Sequence, residues 1–274
     1  MYDDKFLRDI MKDIEECFLI DGKGFIILDG YEYMRDITTL YAKQHNLLES
    51  TLLLLENNNA EEAVILARSL LNNYFLIGYL LKDNKNRTRL KRFHNQPLIT
   101  RMKKLRNIKE IISNSTSKLL SDEDKEKKLK ELKKKIVECE KMLKENGIKR
   151  GERLLDVCTL AKNSDEKGFA LYTFFYSDAS KFEHSDISSL DLYKKQVLEE
   201  YSNNEIFILN INSTDEELKD KIFEKVETIY CDTFSKIISH IFENESHLLK
   251  NFNQEKLNEI CIKITNKFSG KLNN

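Results

Sequence analysis

The sequence predicts an all-α fold: a multi-helix bundle with a protruding helical arm and at most a minor two-stranded element. The chain has one proline and eight glycines in 274 residues, and an all-β or loop-rich fold would need more turn residues than this. Apolar residues recur along most of the chain at the spacing of amphipathic helices. With 41% hydrophobic and 33% charged residues, the composition is that of a soluble globular protein. We expect a single helical domain over residues 1–274, in which residues 114–150 are inserted as the arm and residues 213–268 form a C-terminal helical pair packed on the core.

Three helices are predicted in the first third of the chain, at about Asp4 to Ile20, Tyr31 to Glu56 and Ala60 to Leu81. Asn59 is a good N-cap for the third helix, because two glutamates follow in its first turn, where the helix dipole favours acids. This third helix is the most apolar segment, and Arg68 is its only charge after the first turn. We interpret it as a buried core helix, since polar residues interrupt the ~20 apolar residues that a membrane span requires.

The arm helix is predicted from its start and stop signals. Ser121 is followed by three acids, with Asp124 at capping-box distance, and Gly147 is expected to end the helix. Between them lies a two-heptad apolar seam of Leu129, Leu132, Ile136, Cys139 and Leu143. The one convincing strand is Glu205 to Ile211, whose candidate partner is Phe25 to Leu28. The other predicted helices run from about Leu98 to Ser113, Glu152 to Ala161, Leu171 to Asp186, Ser213 to Glu243 and Glu245 to Phe268.

The number and spacing of the cysteines and histidines indicate the cellular compartment and whether a metal site is expected. The five cysteines are odd in number, widely spaced and without a C-x-x-C pair, which fits a reducing cytoplasm and neither a disulfide framework nor a zinc site. The five histidines lack the spacing of a metal motif, and no glycine-rich phosphate loop is present. The N-terminus is charged from residue 3, unlike a signal peptide. We therefore expect a cytoplasmic protein with no metal, no cofactor and no membrane association.

A line of polar side chains is predicted on one face of the helix from Leu171 to Asp186. Tyr172, Tyr176, Ser180 and His184 follow one another at four-residue intervals, so an α-helix places them on one face. Arg68 needs an acceptor, because a buried guanidinium without partners is costly. If the two helices pack together, Arg68 meets the polar line, and His184 can serve as a general acid or base. The alternative is a satisfied hydrogen-bond network that fixes helix register. The candidate catalytic residues of this cluster are His184, Arg68, Tyr176 and Ser180.

Two short motifs in these helices carry a family resemblance. The run from Ala67 to Asn72, ARSLLN, is followed about a hundred residues later by Tyr176-x-x-x-Ser180-x-x-x-His184. The pair resembles an uncharacterised bacterial helical family, domain-of-unknown-function family 5677, over about Tyr31 to His184. The resemblance implies an all-helical fold and a shared polar cluster, with no established reaction. It also implies an acid one turn after the arginine, where this chain has Asn72.

A basic segment lies between the two motifs. From Lys82 to Lys109 there are eleven Lys and Arg residues against one acid, Asp83, a local charge of +10 in a chain of net charge −1. Such a segment attracts phosphate backbones. The alternatives are a solvated basic loop or a segment that docks on an acidic protein partner or on the acids of this chain between Glu199 and Glu205. The candidate nucleic-acid-binding residues are Lys91, Arg92, Arg101, Lys103, Lys104 and Arg106.

The same segment resembles the catalytic motif of the HEPN helical ribonucleases, Arg-x(4 to 6)-His. Arg89-x4-His94 and Arg87-x6-His94 both satisfy the spacing. The resemblance implies metal-independent cleavage of RNA by the arginine and histidine, at the interface of a dimer. The candidate residues for this reaction are His94, Arg89 and Arg87.

The sequence favours a cytoplasmic bacterial protein of binding or regulatory type, built around the Arg68 and Tyr/Ser/His cluster. Family-level analogy suggests a defence or stress response, including defence against phage. The alternative is a HEPN-like, metal-independent RNA endonuclease. The expected partners are RNA or an acidic protein, together with a second copy of the chain in a homodimer.

Overall fold

The structure, a computed structural model, describes residues 3–20, 23–24, 31–115, 121–148, 154–183, 194–197, 206–209 and 216–269. The fold is all-α, and this prediction is confirmed. The chain divides into two compact units: unit 1 comprises residues 1–82 and 160–274, and unit 2 comprises residues 83–159. The prediction of a single domain with an inserted arm stays a prediction.

Unit 1 contains most of the helices, and the first three lie close to their predicted bounds, whereas the helices predicted from Glu152 and from Glu245 begin later, at Val157 and Gln254. Its N-terminal helices are α1 (Lys5–Phe18), α2 (Glu32–Glu56) and α3 (Ala60–Leu81). The middle of the chain supplies α7 (Val157–Ser164, beginning three residues before the unit boundary), α8 (Glu166–Leu171), a π-helical turn (Tyr172–Tyr176) and α9 (Ser177–Glu183). The C-terminal elements are α10 (Glu216–Asn244), a 3-10 helix (Ser246–Asn251) and α11 (Gln254–Ser269).

The core of unit 1 forms where α2, α3 and α10 pack against one another. Leu52 of α2, Phe75 of α3 and Phe234 of α10 are fully buried there. Among the described residues, α3 is long and apolar enough to cross a membrane by length and composition, with a mean hydropathy of 1.4, but 61% of that window is buried inside the unit. Its apolar faces are thus covered by neighbouring helices, as expected of a core helix.

A second packing layer of unit 1 joins the two ends of the chain. Helix α1 packs on α11, and ion pairs support the contact. The Nζ atoms of Lys256 and Lys263 lie 2.7 and 2.6 Å from the two carboxylate oxygens of Asp13. Burial alone would raise the pKa of Asp13, but these two lysines hold it below its ordinary value.

Two short antiparallel pairs of strands accompany the helices. Leu19–Ile20 (β1) pairs with Lys23–Gly24 (β2), and Lys194–Val197 (β3) pairs with Ile206–Leu209 (β4). The predicted strand near residue 206 is therefore present, and its partner is β3. The candidate partner named from the sequence, Phe25 to Leu28, lies outside the described residues.

Unit 2 is a helical hairpin preceded by one short helix. It contains α4 (Thr88–His94), α5 (Gln96–Asn114) and α6 (Asp122–Glu145). Ser121 caps α6, since its Oγ accepts a hydrogen bond of 3.1 Å from the amide of Asp124, as its sequence context predicts. The seam predicted on α6 faces α5, where Cys139 and Leu143 form one buried cluster with Ile99 and Met102. The chain leaves α6 through Gly147, whose φ of +75° is readily adopted by glycine.

Candidate functional site

The structure brings Arg68 and Tyr176 together in unit 1. The guanidinium carbon of Arg68 lies 4.7 Å from the centroid of the Tyr176 ring, a cation–π contact. Tyr176 is 6% exposed, and Arg68 is half-buried. The contact forms because α3 packs against α9 and α8. Asn72, one turn after Arg68, has a buried Oδ1 with no hydrogen-bond partner among the described residues.

Tyr176 belongs to a column of stacked rings. The rings of Tyr172 and Tyr176 lie 5.5 Å apart at an interplanar angle of 19°, and Phe169 stacks on Tyr172 at 6.4 Å and 9°. Phe75 of α3 meets both tyrosines edge-on, at 6.5 and 6.1 Å. A cation lies at each end of the column: Arg68 over Tyr176, and the Nζ of Lys162 at 5.4 Å from the centre of the Phe169 ring.

The helix that carries the polar line differs from the predicted continuous α-helix. Residues Tyr172–Tyr176 form a π-helical turn, and such turns are frequent at functional sites. The Ser177 hydroxyl donates to the carbonyl of Tyr172, five residues back, and the Ser180 hydroxyl donates to the carbonyl of Tyr176 at 2.9 Å. Ser180 thus hydrogen-bonds to its own helix. His184 lies outside the described residues, so the proposed role of His184 stays a prediction.

A partly buried ionic network beside this column was not foreseen from the sequence. The Tyr74 hydroxyl donates to Asp232 Oδ2 at 2.8 Å, and the Nζ of Lys236 contacts Tyr74 Oη at 2.5 Å, Asp232 at 2.8 Å and Asp165 at 2.5 Å. Lys167 completes the network at 3.1 Å from Asp232 Oδ1. Its members come from α3, α8 with its N-cap, and α10. The one local signal was the i, i+4 spacing of Asp232 and Lys236.

The ionisation of this network follows from its charges. Burial alone would raise the pKa of Asp232, but Lys236 and Lys167, with the Tyr74 hydroxyl, lower it below the ordinary value. Burial, together with the carboxylates of Asp232 and Asp165, raises the pKa of Tyr74 well above its ordinary value. Tyr74 is therefore a neutral hydrogen-bond donor, and Asp232 is a charged acceptor. The network stabilises the packing of α3, α8 and α10 and holds no free nucleophile.

Close backbone packing brings α7 and α8 against α3. Ser164 is 1% exposed, and a Cβ built on Gly78 would lie 2.8 Å from the Ser164 Cβ. A Cβ built on Gly168 would lie 2.0 Å from the Ser164 Oγ. A side chain at position 78 therefore meets the Cβ of Ser164, and one at position 168 can be accommodated only if the Ser164 hydroxyl moves.

In the basic segment, the one acid, Asp83, holds the backbone at the start of α4 by hydrogen bonds. The carboxylate of Asp83 accepts hydrogen bonds of 2.9 Å from the amides of Arg89 and Leu90, at the start of α4. Arg87 precedes this helix with a φ of +53°, in the left-handed region. Asp83 thus caps α4, because it accepts hydrogen bonds from amides of the first turn that have no partner within the helix.

His94 lies on a cavity of about 700 Å³ at the junction of α4 and α5. Phe93 lines it from α4, and Arg101 and Lys104 line it from α5, one turn apart. His94, Arg101 and Lys104 are exposed, and Phe93 is half-buried. Neither Arg87 nor Arg89 lines this cavity. The basic residues that line it together with His94 are Arg101 and Lys104 of α5. A ring, an imidazole and two cations can contact a phosphate and an unstacked base.

The other candidate nucleic-acid contacts are distributed around the hairpin. Lys91 shares a second cavity with His94, of about 450 Å³. Arg106 contacts Glu140 of α6 at 2.6 Å and thereby joins the two helices of the hairpin. Lys103 is exposed, and Arg92 is half-buried. Asn95, buried between α4 and α5, accepts a hydrogen bond of 2.7 Å from the Asn146 side chain and anchors the end of α6 at the cavity.

Among the described residues, no group of three or more histidine, cysteine, aspartate or glutamate side chains is placed to hold a metal ion. No curated protein and no solved structure gives a significant match to the chain. The resemblance to the HEPN ribonucleases receives no support from these comparisons. One family model, described as "Family of unknown function (DUF5677)", matches residues 37–205, more than half of the chain. The matched residues include Arg68, Tyr176 and the whole basic segment. The chain therefore belongs to this family of unknown function, DUF5677.

Proposed function

We propose that this protein is an RNA-binding protein, of binding or regulatory type, that contacts single-stranded RNA through the basic face of the α4–α5 junction. The observation that carries the proposal is the cavity that Phe93, His94, Arg101 and Lys104 line together. Single-stranded RNA is recognised by cations that contact phosphates and by rings on which bases stack. This cavity offers both kinds of contact within one surface.

The charge distribution within unit 2 supports the same surface. Helix α5 carries five basic residues and one acid, Glu110, whereas α6 carries nine lysines and eight acids. Asp83 hydrogen-bonds to the backbone of α4, and Glu140 pairs with Arg106. The positive charge of the hairpin is therefore concentrated near Arg101 and Lys104. Such a patch gives an affinity that falls as salt rises.

The test is the affinity for a labelled single-stranded RNA, measured by fluorescence anisotropy at several salt concentrations. We expect the Arg101→Gln/Lys104→Gln variant to bind about tenfold more weakly or worse, and to show a shallower salt dependence. The matched control is Lys133→Gln/Lys134→Gln, which removes the same charge from exposed positions of α6. Equal weakening of both variants would exclude a defined surface. An affinity that does not change with salt would overturn the proposal.

A second candidate function is metal-independent RNA cleavage, and the neighbourhood of His94 and Arg101 in one cavity favours it. An imidazole can serve as the general base toward a ribose 2′-hydroxyl, and a guanidinium can stabilise the charged phosphate. Incubation with labelled RNA in EDTA tests it, with His94→Ala and His184→Ala as separate variants. Intact RNA after incubation with the wild-type protein would remove this candidate.

The cytoplasmic location, the homodimer and the role in bacterial defence or stress remain proposals. They rest on the cysteine pattern and on family-level analogy. Sedimentation equilibrium at micromolar concentration tests the homodimer directly, since a monomer mass there would exclude a stable dimer.

A further inference from the structure

The second cavity of unit 2, of about 450 Å³, adjoins the proposed RNA-binding surface. We call it the polar cavity, and its lining residues are Lys91, His94, Asn95, Glu145 and Asn146. His94 also lines the larger cavity at the α4–α5 junction. The two cavities therefore meet at one imidazole, within reach of neighbouring nucleotides of a single strand.

Hydrogen bonds hold the walls of the polar cavity in place. Asn95 is 6% exposed, and its Nδ2 donates to the carbonyl of Lys91 at 2.7 Å. Its Oδ1 accepts a hydrogen bond of 2.7 Å from Nδ2 of Asn146, whose own amide donates to the carbonyl of Met142 at 3.0 Å. The end of α6 is thereby tied to the end of α4, so the backbone that carries Glu145 has a defined position at the cavity.

The polar cavity differs in charge from its neighbour, because it contains a carboxylate. Among the described residues, the ion pair of Glu145 is with Lys141 at 3.9 Å, and both side chains are more than half exposed. Such a surface pair contributes little, so the carboxylate remains able to accept other hydrogen bonds. A carboxylate repels phosphate groups, whereas it accepts hydrogen bonds from the N–H groups of a base. The polar cavity therefore favours a base over the RNA backbone.

The donors and acceptors of the base edges select among the bases. A carboxylate has two acceptor oxygens, and guanine presents two adjacent donors on its Watson–Crick edge, N1–H and the 2-amino group. Uracil presents one donor there, and adenine and cytosine each present one amino group next to an acceptor nitrogen. Guanine also carries the acceptor O6 beside N1–H, which suits the ammonium group of Lys91. Paired charge-assisted hydrogen bonds of this kind are strong and specific.

We propose that the polar cavity binds a guanine base of single-stranded RNA. The Glu145 carboxylate accepts hydrogen bonds from N1–H and the 2-amino group, the Nζ of Lys91 donates to O6, and the His94 ring stacks on the base. This assignment rests on the proposed RNA-binding function and adds a base preference to it. The larger cavity then contacts the adjoining nucleotide.

Fluorescence anisotropy of the full chain with labelled uridine nonamers tests the proposal, in which the central nucleotide is uridine, guanosine, inosine, adenosine or cytidine. We expect the guanosine RNA to bind at least ~10-fold more tightly than the all-uridine RNA. The inosine RNA, which lacks the 2-amino group, should bind with intermediate affinity. Glu145→Gln should reduce the preference for guanosine to ~3-fold or less, because an amide offers only one acceptor oxygen. Its affinity for the all-uridine RNA should be kept.

The matched control is Glu131→Gln, which removes the same charge from an exposed position of α6. Position 131 lies about 21 Å from Glu145 along the helix axis, so this variant should keep the full preference for guanosine. The Arg101→Gln/Lys104→Gln variant should weaken the binding of every RNA and leave the ratio between the guanosine and all-uridine RNAs unchanged. Because Glu145 is exposed, its substitution should leave the fold intact, and circular dichroism checks this.

The outcomes separate this assignment from the RNA-binding proposal on which it rests. A guanosine RNA that binds no more tightly than the others would overturn the assignment alone, and so would a preference that survives in Glu145→Gln. The absence of salt-dependent binding to all five RNAs would overturn both.

Discussion

The guanidinium group of Arg68 covers the ring of Tyr176, with 4.7 Å between the guanidinium carbon and the ring centre. This contact joins the most apolar helix of the chain to the π-helical turn. Both residues lie in the segment that matches the family model. Arg68 therefore contributes to the packing of α3 against the π-helical turn through its contact with the Tyr176 ring.

We predict that Arg68→Met lowers the free energy of unfolding by about 1–2 kcal/mol, because a partly desolvated cation–π contact is lost while most of the apolar stem is kept. Tyr176→Phe keeps the ring and should have a smaller effect. Urea unfolding of both variants measures this. A double-mutant cycle of Arg68→Met with Tyr176→Leu should give a coupling energy above the error, and additive losses would contradict the contact.

Gly78→Ala should destabilise the protein, although alanine is the better helix former. The new Cβ would lie 2.8 Å from the buried Ser164 Cβ, and overpacking costs about 1–3 kcal/mol, which exceeds the ~1 kcal/mol gained in helix propensity. Adding Ser164→Gly removes the clash. Thermal unfolding should therefore show the double variant to be more stable than the sum of the two single losses. Simple additivity would mean that the backbones move apart freely.

Asp232 should make the free energy of unfolding depend on pH at acidic pH. Its pKa is lowered in the folded protein, so its contribution is fully present above the ordinary aspartate pKa of about 3.9 and is lost as the pH falls through the lowered value. We expect Asp232→Asn to be less stable than wild type at pH 6. The difference should shrink toward pH 2.5, in urea titrations at successive pH values. Asp9→Asn, which removes one carboxylate at an exposed position of α1 outside this network, is the control.

The five cysteines should react at different rates with a thiol reagent at pH 8. Burial raises the pKa of Cys17 to about 11 and that of Cys231 to about 12, so few thiolates form there. Cys139 is also buried, whereas Cys158 and Cys261 are half-exposed. Mass spectrometry should find the last two modified first, and all five only in urea. Early labelling of Cys231 in the native protein would contradict the packing of α10.

Local signals were enough to place several helices. The bounds of α3 are those predicted from Asn59 and the glutamates after it, although the Asn59 side chain makes no cap hydrogen bond. For α6, the Ser121 cap is present as predicted, and Cys139 and Leu143 of its seam are buried. These successes reflect helix ends and apolar spacing, which are encoded within one or two turns.

The contacts that build the sites were harder to predict. Tyr74 meets Asp232 across 158 residues, and His45 meets Tyr230 across 185. None of these four residues has a local signal that predicts its distant partner. The π-helical turn also had no sequence sign, since YTFFY contains neither proline nor glycine. The turn contacts Phe75 and Arg68 of α3, which are about a hundred residues earlier in the chain.

The π-helical turn is a position at which the chain can lose one residue without changing the faces of the flanking helices. A π turn holds one residue more than the α-helical turn that would cover the same rise. Deleting Thr173, which is exposed, would therefore convert the segment to continuous α-helix while Tyr176 and Ala179 keep facing α3. Elsewhere in these helices a one-residue deletion would rotate every following side chain by about 100°. Within the segment from α8 to α9, this turn is thus the position at which a single-residue deletion is most easily tolerated.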